Sequence, residues 1–437
     1  MIEPFAGRRA RFAATLDDGV AVIPAAHERL RCNDTEYEFR QNSDFYYLTG
    51  FNEPDAVLVI APHHPRERYV LFVRPRDRAQ EIWTGRRLGA RDAVHHLGVD
   101  AAYEVAEIDA RLPEYLLGAR RLIYAAGADD SFDRRIYAAI DQTRARARRS
   151  GRAPEEIVDP SATLHEFRLF KEPAEIYLMR RAAEITAAGF RAGMAATHPG
   201  AHEYEIEAAI EFEYQRAGGT YAYPSIVAGG ENATTLHYNT NRDVLEDGAL
   251  LLVDSGSEYE LYASDVTRTW PVNGRFSAEQ RAIYEIVLAA QEAGIEQVRP
   301  GKGCREFHDA CVRVITEGLI DVGLLDGTVQ ENIETERYRA YYTHGSGHWL
   351  GLDVHDAGHY RTGESYRPFE PGMVTTVEPG IYVHRDAECH ERWKGIGVRI
   401  EDDVLVTASG NENLTGAIPK SIAGVTAAVG ERTAAAS

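Results

Sequence analysis

The sequence predicts an α+β protein of two domains. A smaller α/β domain covers residues 1–165. A larger domain covers 166–437, in which helices lie on a curved, mainly antiparallel sheet with pseudo-twofold symmetry. Three observations carry this reading. Apolar runs and helical patterns alternate over the first 150 residues, as in layered α/β domains. A polar stretch, Ser150-Gly151-Arg152-Ala153-Pro154-Glu155-Glu156 and then Asp159-Pro160-Ser161, marks a boundary. The second half repeats itself: a long helical pattern ending in Pro-Gly, a second amphipathic helix, then strand-rich chain, twice over. Two domains also suit a chain of 437 residues.

In chain order, strands are expected at Val20–Ile23, Phe45–Leu48, Ala56–Ile60, Tyr69–Val73 and Leu122–Tyr124, each a short β-branched or aromatic run. Helices are expected near 91–97 and over 131–148. The second closes on Arg144, Arg146, Arg148 and Arg149, cations that suit the negative end of a helix. That basic run reads as a solvated helix end, and no phosphate-binding glycine loop is found. Past the boundary, long helices are expected over 174–196 and 277–298, ending near Pro199-Gly200 and Pro300-Gly301. Lys171-Glu172-Pro173 introduces the first, and Ser277 with Gln280 forms a capping box for the second. Ile283, Ile286, Val287 and Ala290 keep one helical face. The companion helices are expected over 203–217 and 305–318. The small, polar tail after Pro419 is expected to be disordered or loosely packed.

Composition narrows the function. A formal net charge of -20 argues against a nucleic-acid partner, which wants a basic face. Cys32, Cys304, Cys311 and Cys389 form no CxxC, which fits a reduced intracellular protein. The opening Met1-Ile2-Glu3-Pro4-Phe5 has no signal-peptide pattern. No run reaches the roughly 18 apolar residues of a membrane span. A soluble cytoplasmic protein without a membrane partner is expected.

The chain turns on His344-Gly345-Ser346-Gly347-His348-Trp349-Leu350-Gly351-Leu352-Asp353-Val354-His355-Asp356, three histidines and two aspartates in thirteen residues. Gly345 and Gly347 each cost a helix about 1 kcal/mol relative to Ala, so the segment reads as irregular or extended. Four acids sit in or beside apolar, β-branched runs: Asp254 after Leu250-Leu251-Leu252-Val253, Asp265 before Val266-Thr267-Arg268-Thr269-Trp270, Glu378 after Thr376-Val377, and Glu401 after Gly397-Val398-Arg399-Ile400. Acids are rarely buried unless paired or bound to metal. One would be a satisfied core residue; four with a histidine cluster indicate a metal site.

A hairpin centred near Tyr259-Glu260 would set Asp254 and Asp265 opposite each other. Facing carboxylates force one pKa up, and divalent cations relieve the conflict. Asp254, Asp265, Glu378 and Glu401 bring four negative charges and His348 is neutral, so two divalent ions balance the set. Oxygen-rich ligation with one imidazole suits Mn²⁺. Two metals about 3.5–4 Å apart would clamp a hydroxide and polarise a carbonyl, which is hydrolytic chemistry. Arg399 shares a strand face with Glu401 and is counted with the catalytic residues as support for a ligand carboxylate. His355 and His237 could stabilise an oxyanion. His165, His308 and His359 stay unassigned.

With these residues in hand, the chain resembles the aminopeptidase P (Xaa-Pro aminopeptidase) family of pita-bread metallopeptidases, relatives of prolidase and methionine aminopeptidase. The resemblance rests on Thr235–Tyr238, Leu252–Gly256, Ser264–Gly274, His344–Asp356, Val377–Gly380 and Gly397–Asp403. In the first half it rests on Asn33–Tyr37, Arg40–Phe45 and Glu81–Gly89, and it runs to about Lys420. It implies a pita-bread catalytic domain in which Asp254, Asp265 and Glu401 hold one metal. Asp265, His348, Glu378 and Glu401 would hold the other. It also implies that Glu378 shuttles the proton, that His355 and His237 stabilise the tetrahedral intermediate, and that Leu236, His344 and Val354 wall the proline pocket. The expected substrates are peptides with proline second, cleaved through a metal-bridging hydroxide. A homodimer or homotetramer is implied, in which a neighbour's Asp34 and Trp83 reach the site. Tyr223–Gly230 departs from the bacterial pattern, lacking a tyrosine expected near the proline pocket, and looks closer to the eukaryotic organellar branch. A prolidase with the same centre is the nearest alternative, and a non-catalytic pita-bread binding module is a distant one.

Overall fold

The computed structural model describes residues 3–148 and 151–430; Met1, Ile2, Arg149, Ser150 and residues 431–437 lie outside the described residues. It divides into two compact units, Met1–Phe167 and Arg168–Ser437.

The amino-terminal unit is built on a six-stranded mixed sheet. Its order is Ala101–Glu104, Tyr69–Val73, Val57–Ile60, Gly19–Pro24, Arg121–Ile123, Glu156–Val158. The middle pairs are antiparallel and the outer ones parallel. Val20, Ala21 and Val22 are all buried, as are Leu58, Val59 and Ile60, so both faces of the central strands are covered.

One expectation fails here. Phe45–Leu48 is not a strand but part of the helix Ser43–Thr49. Its four consecutive buried residues carry no period that distinguishes strand from buried helix. The end signals decide instead. The Asn42 side chain caps the first turn by accepting from the Phe45 N–H, and Gly50 takes the left-handed conformation at φ 63°. The polar stretch before the division also contributes to the sheet. Glu156–Val158 is the edge strand of the sheet. Its side chains are all exposed, so its composition reads as loop while its backbone pairs.

The carboxy-terminal unit shows the repeat directly. Helices Pro173–Ala196 and Glu203–Arg216 form one pair, and Ala278–Gln297 and Glu306–Asp321 the other. In the first pair a Cβ at Gly189 or Gly193 would run into Tyr214 or Ile210; in the second a Cβ at Gly294 would meet Cys311. Small residues thus set the close approach of both pairs. After the first pair come the antiparallel strands Ile226–Gly229, Leu250–Ser255 and Val266–Pro271. After the second come Val374–Val377, Asp402–Val406 and Asn411–Asn413, with the hairpin Gly380–Val383/Ile396–Arg399. One apolar core joins helices and strands, including Phe190, Tyr214, Trp270, Val287, Ile315, Val377 and Val398.

The tail departs from expectation as far as it is described. Ile422–Ala428 is a helix capped by Ser421, and Val425 is buried against the core. Its apolar spacing (Ile422, Val425, Val429) is too short to stand out in sequence. Among the described residues no helix is long and apolar enough to cross a membrane.

The cap of Ala278–Gln297 is reciprocal: Ser277 Oγ accepts from the Gln280 N–H at 3.1 Å, and the Gln280 side chain accepts from the Ser277 N–H at 2.9 Å. Ser277→Ala should cost about 1 kcal/mol. A denaturant midpoint equal to wild type would contradict it.

Candidate metal centre

The acids lie at strand ends along the seam between the two repeats. Asp254 sits in Leu250–Ser255, and Asp265 directly precedes Val266–Pro271. The two are not opposite each other: Asp254 pairs with Thr267, because the connecting hairpin, continued through Ser257–Tyr259/Tyr262–Ala263, turns one residue later than Tyr259-Glu260. That hairpin turns on Glu260 and Leu261, both at positive φ, the two-residue turn that matches strand twist. From the other repeat, Glu378 follows Val374–Val377 and Glu401 precedes Asp402–Val406. The segment His344–Asp356 is irregular, touching the sheet through a bridge of Trp349 to Thr375.

Backbone bonds fix these positions. The Glu378 N–H donates to Ser346 O at 2.8 Å, the Thr376 N–H to His348 O at 2.9 Å, and the Glu401 N–H to Thr267 O at 3.0 Å. His348 directs Nδ1 to the Trp349 carbonyl at 3.0 Å, which leaves Nε2 turned to the acids. That nitrogen lies 3.3 Å from Asp265 Oδ2 and 3.7 Å from Glu378 Oε1. Ligand atoms of Asp265, His348 and Glu401 all fall within 4.8 Å of one another.

Hydroxyls and one guanidinium complete the set. The Tyr223 hydroxyl reaches Asp254 at 2.6 Å and also Asp265. Thr267 donates to Glu401 at 2.7 Å. Arg399 is buried; its Nη2 donates to Asp254 Oδ2 at 2.6 Å, its Nε to Thr267 at 3.0 Å and its Nη1 to Tyr382 at 3.0 Å. Sequence reading had missed Tyr223, Thr267 and Tyr382. Tyr223 stands three residues before Ile226, and it is the pairing of Ile226 with Asp254 in the folded sheet that brings it to the acids.

Electrostatics expose the strain of this arrangement. Burial, reinforced by the Asp265 charge against the pull of His348, pushes Glu378 up to about 7. Burial and then the neighbouring carboxylates push Glu401 well up, and burial raises Asp254 despite Arg399. Burial opposes the His348 cation, yet the Asp265 hydrogen bond and the Glu378 charge outweigh it and push His348 up to about 9. Asp254, Glu378 and Glu401 resist their own ionisation, while at Asp265 burial is outweighed by the His348 hydrogen bond and the carboxyl is held down. The donor set therefore fits divalent cations, which would let all four ionise.

Around this centre, His344 Nε2 meets the Tyr382 hydroxyl at 2.8 Å and Nδ1 the Gly345 carbonyl at 2.7 Å. Burial pushes His344 down to about 3, so the ring is neutral. Leu236 is half-buried against Ile226, Ala228, Leu252 and Tyr382. The exposed His355 ring stands edge-on to His348, centroids 4.2 Å apart. His237 is exposed and close enough for its charge to act on both His344 and His355. Val354 is half-buried beside His355. Asp34 and Trp83 belong to the amino-terminal unit, where both are exposed. Of the unassigned histidines, His308 bonds Ser346 Oγ at 2.8 Å, His165 lies 3.5 Å from Asp44, and His359 is exposed.

Comparison with known proteins bears on this centre. The profile of metallopeptidase family M24 matches residues 177–408, and that of the aminopeptidase P N-terminal domain matches residues 5–124. The Xaa-Pro aminopeptidase of Escherichia coli K12 is 45% identical over 96% of this chain and 95% of its own length. The structure of Pseudomonas aeruginosa aminopeptidase PepP superposes with a TM-score of 0.96 at 46% identity, covering 98% of each chain. A variant of Escherichia coli aminopeptidase P in complex with substrate superposes with a TM-score of 0.94 at 44% identity, covering 98% of this chain and 97% of that one.

The ionisation directions predict a pH dependence. Glu378 and His348 are both raised, so each holds its proton more tightly folded than unfolded. Each contributes stability below its ordinary pKa that is lost as pH rises through the folded value. Cation-free protein should therefore lose stability between about pH 5 and pH 9. Asp265, shifted down, acts only below the usual carboxylate range. Divalent cation should raise the melting temperature more near pH 8.5 than near pH 5.5, within the window set by these shifts. Equal increments at the two pH values would refute the assignment of these shifts.

Proposed function

The chain belongs to metallopeptidase family M24, carries the aminopeptidase P amino-terminal domain and has the pita-bread catalytic fold, and we propose that it is an Xaa-Pro aminopeptidase. It is a metallo-exopeptidase that hydrolyses the bond between the first residue of a peptide and a following proline. The observation that carries this reading is the convergence of Asp254, Asp265, His348, Glu378 and Glu401 on one cleft, in a chain 45% identical to a bacterial Xaa-Pro aminopeptidase along nearly its whole length.

In our reading those five residues would hold two divalent ions. The ions supply Lewis acidity toward the scissile carbonyl and the attacking water. Mn²⁺ is our choice, since four carboxylates and one imidazole form a hard-to-borderline donor set.

Glu378 accepts the proton of the attacking water and delivers it to the proline nitrogen. That nitrogen must gain a proton to leave as an amine rather than as an amide anion. The Glu378 carboxylate stands beside the His348 ring, 3.7 Å from Nε2, inside the cluster where the water is held. His355 and His237 donate to the oxyanion that develops on the carbonyl. Leu236, His344 and Val354 wall the proline pocket, and Tyr382 fixes the His344 ring. Arg399 orients Asp254 and Tyr382 together.

A homodimer or homotetramer is the assembly we favour, with Asp34 and Trp83 of one copy reaching the centre of another. Ile82 and Trp83 are 73% and 85% exposed on a helix, Arg78–Thr84, that buries no residue within its own chain. A cytoplasmic location is supported by four free cysteines.

Two measurements test the reading. Chelated protein given back Mn²⁺ should release the first residue from Xaa-Pro-Xaa tripeptides; cleavage restricted to Xaa-Pro dipeptides would move the assignment to prolidase. Asp265→Asn should lower kcat by more than about 100-fold, since losing even an outer partner of a metal ligand costs 10–100-fold. Near wild-type turnover in that variant would sink the dinuclear centre.

A further inference from the structure

One buried charge cluster at the edge of the centre has no task in the reaction. Arg168 and Lys171 lie near the start of the carboxy-terminal unit, and Asp353 and Asp356 bracket Val354-His355. Arg168 Nη2 donates to Asp353 Oδ2 at 2.6 Å and to Asp356 Oδ1 at 2.5 Å. Lys171 Nζ donates to Asp356 Oδ2 at 2.9 Å. The side chains of Arg168, Lys171 and Asp356 are all but closed to solvent; Asp353 keeps an exposed edge.

The backbone of the same loop is closed over this cluster. The Asp356 N–H donates to Trp349 O at 2.9 Å, and the Gly351 N–H to Asp353 O at 3.1 Å. The Gly351 carbonyl accepts from the Ala263 N–H at 2.9 Å, two residues before Asp265. There is no slack beneath: a Cβ on Gly351 would lie 2.2 Å from Asp356 Oδ2 and 2.8 Å from Lys171 Cε.

Buried ion pairs are weak evidence of added stability, since apolar residues of similar volume hold a fold as well. What charges do better is define one geometry. Here they fix both flanks of a two-residue span whose second member, His355, is itself exposed and carries its ring to 4.2 Å from His348.

We propose that Arg168, Lys171, Asp353 and Asp356 form a charge clamp whose role is to position His355 for the reaction. The four are positioning residues; none touches substrate. The proposal rests on the reading of His355 as an oxyanion donor. An interaction made only in the transition state shows in kcat rather than KM. A displacement of about 1 Å can cost on the order of 100-fold.

The test is a double-mutant cycle on the full-length, Mn²⁺-loaded enzyme with an Xaa-Pro-Xaa tripeptide. Arg168→Gln leaves Lys171 to neutralise Asp356. Should it fail to fold, Asp353→Asn alters only the partly exposed end. Either variant should lower kcat by roughly 10- to 100-fold while KM changes less than about two-fold and bound metal stays at the wild-type level. In a His355→Ala background the same change should add nothing, because the clamp acts through the ring already removed. Multiplying losses, or wild-type kcat in the clamp variants, would overturn the clamp while leaving His355 its role. Wild-type kcat in His355→Ala alone would overturn the His355 reading, and the clamp with it.

Discussion

Four carboxylates brought into one cleft set the terms for the rest of the catalytic unit. Two unit charges about 4 Å apart repel by roughly 4 kcal/mol at the effective dielectric near a protein surface. Several such pairs rival the roughly 5–15 kcal/mol that holds a domain together. The acids cannot simply turn to solvent, because each is mounted at the end of a buried strand. Protons or cations must offset the repulsion. Without cations, Glu378 and Glu401 lean toward the protonated form and His348 toward the charged one.

The surrounding structure resists the same repulsion mechanically. Behind Glu401, Arg268 and Asp402 form a fully buried pair at 2.6 Å, and Lys420 reaches Asp402 at 2.8 Å. Arg268 also donates to the carbonyl of Glu401 itself. The next residue, Asp403, accepts from Ser264 Oγ at 2.8 Å and from the Asp265 N–H at 3.2 Å. The peptides carrying two proposed ligands are thus held from behind by charges that never face the cleft.

Much of the centre was legible in sequence because its signal is an anomaly: acids standing in β-branched runs where burial is otherwise apolar. The helix pairs were legible because Pro-Gly ends, a capping box and helical spacing agree with one another. What stayed hidden carries no anomaly. Tyr223, Thr267 and Tyr382 are ordinary residues in sequence, and only the fold brings the first two hydroxyls to the acids and the third to His344 and Arg399. The edge strand Glu156–Val158 hid because its pairing is all backbone. The Ser43–Thr49 helix hid because four buried residues in a row carry no period. The register of Asp254 against Thr267 depended on an inner hairpin turning on two non-glycine residues at positive φ, which nothing in Glu260 or Leu261 announces.

The repeat explains why such a centre can form where it does. One apolar core runs behind both halves and supplies their cohesion. The seam is then free to be polar. The first repeat brings Asp254, Asp265 and His237; the second brings His348, His355, Glu378 and Glu401. The halves are joined there by the Glu401 N–H to Thr267 carbonyl bond, by the Thr267 hydroxyl on Glu401, and by Arg399 reaching across to Asp254. Thr267 meets the other half with both its backbone and its side chain, and Arg399 donates to that same hydroxyl. The bonds that join the repeats are therefore the bonds that aim the ligands. Seam and site are one structure, and a change in how the halves meet is necessarily a change in how the acids converge.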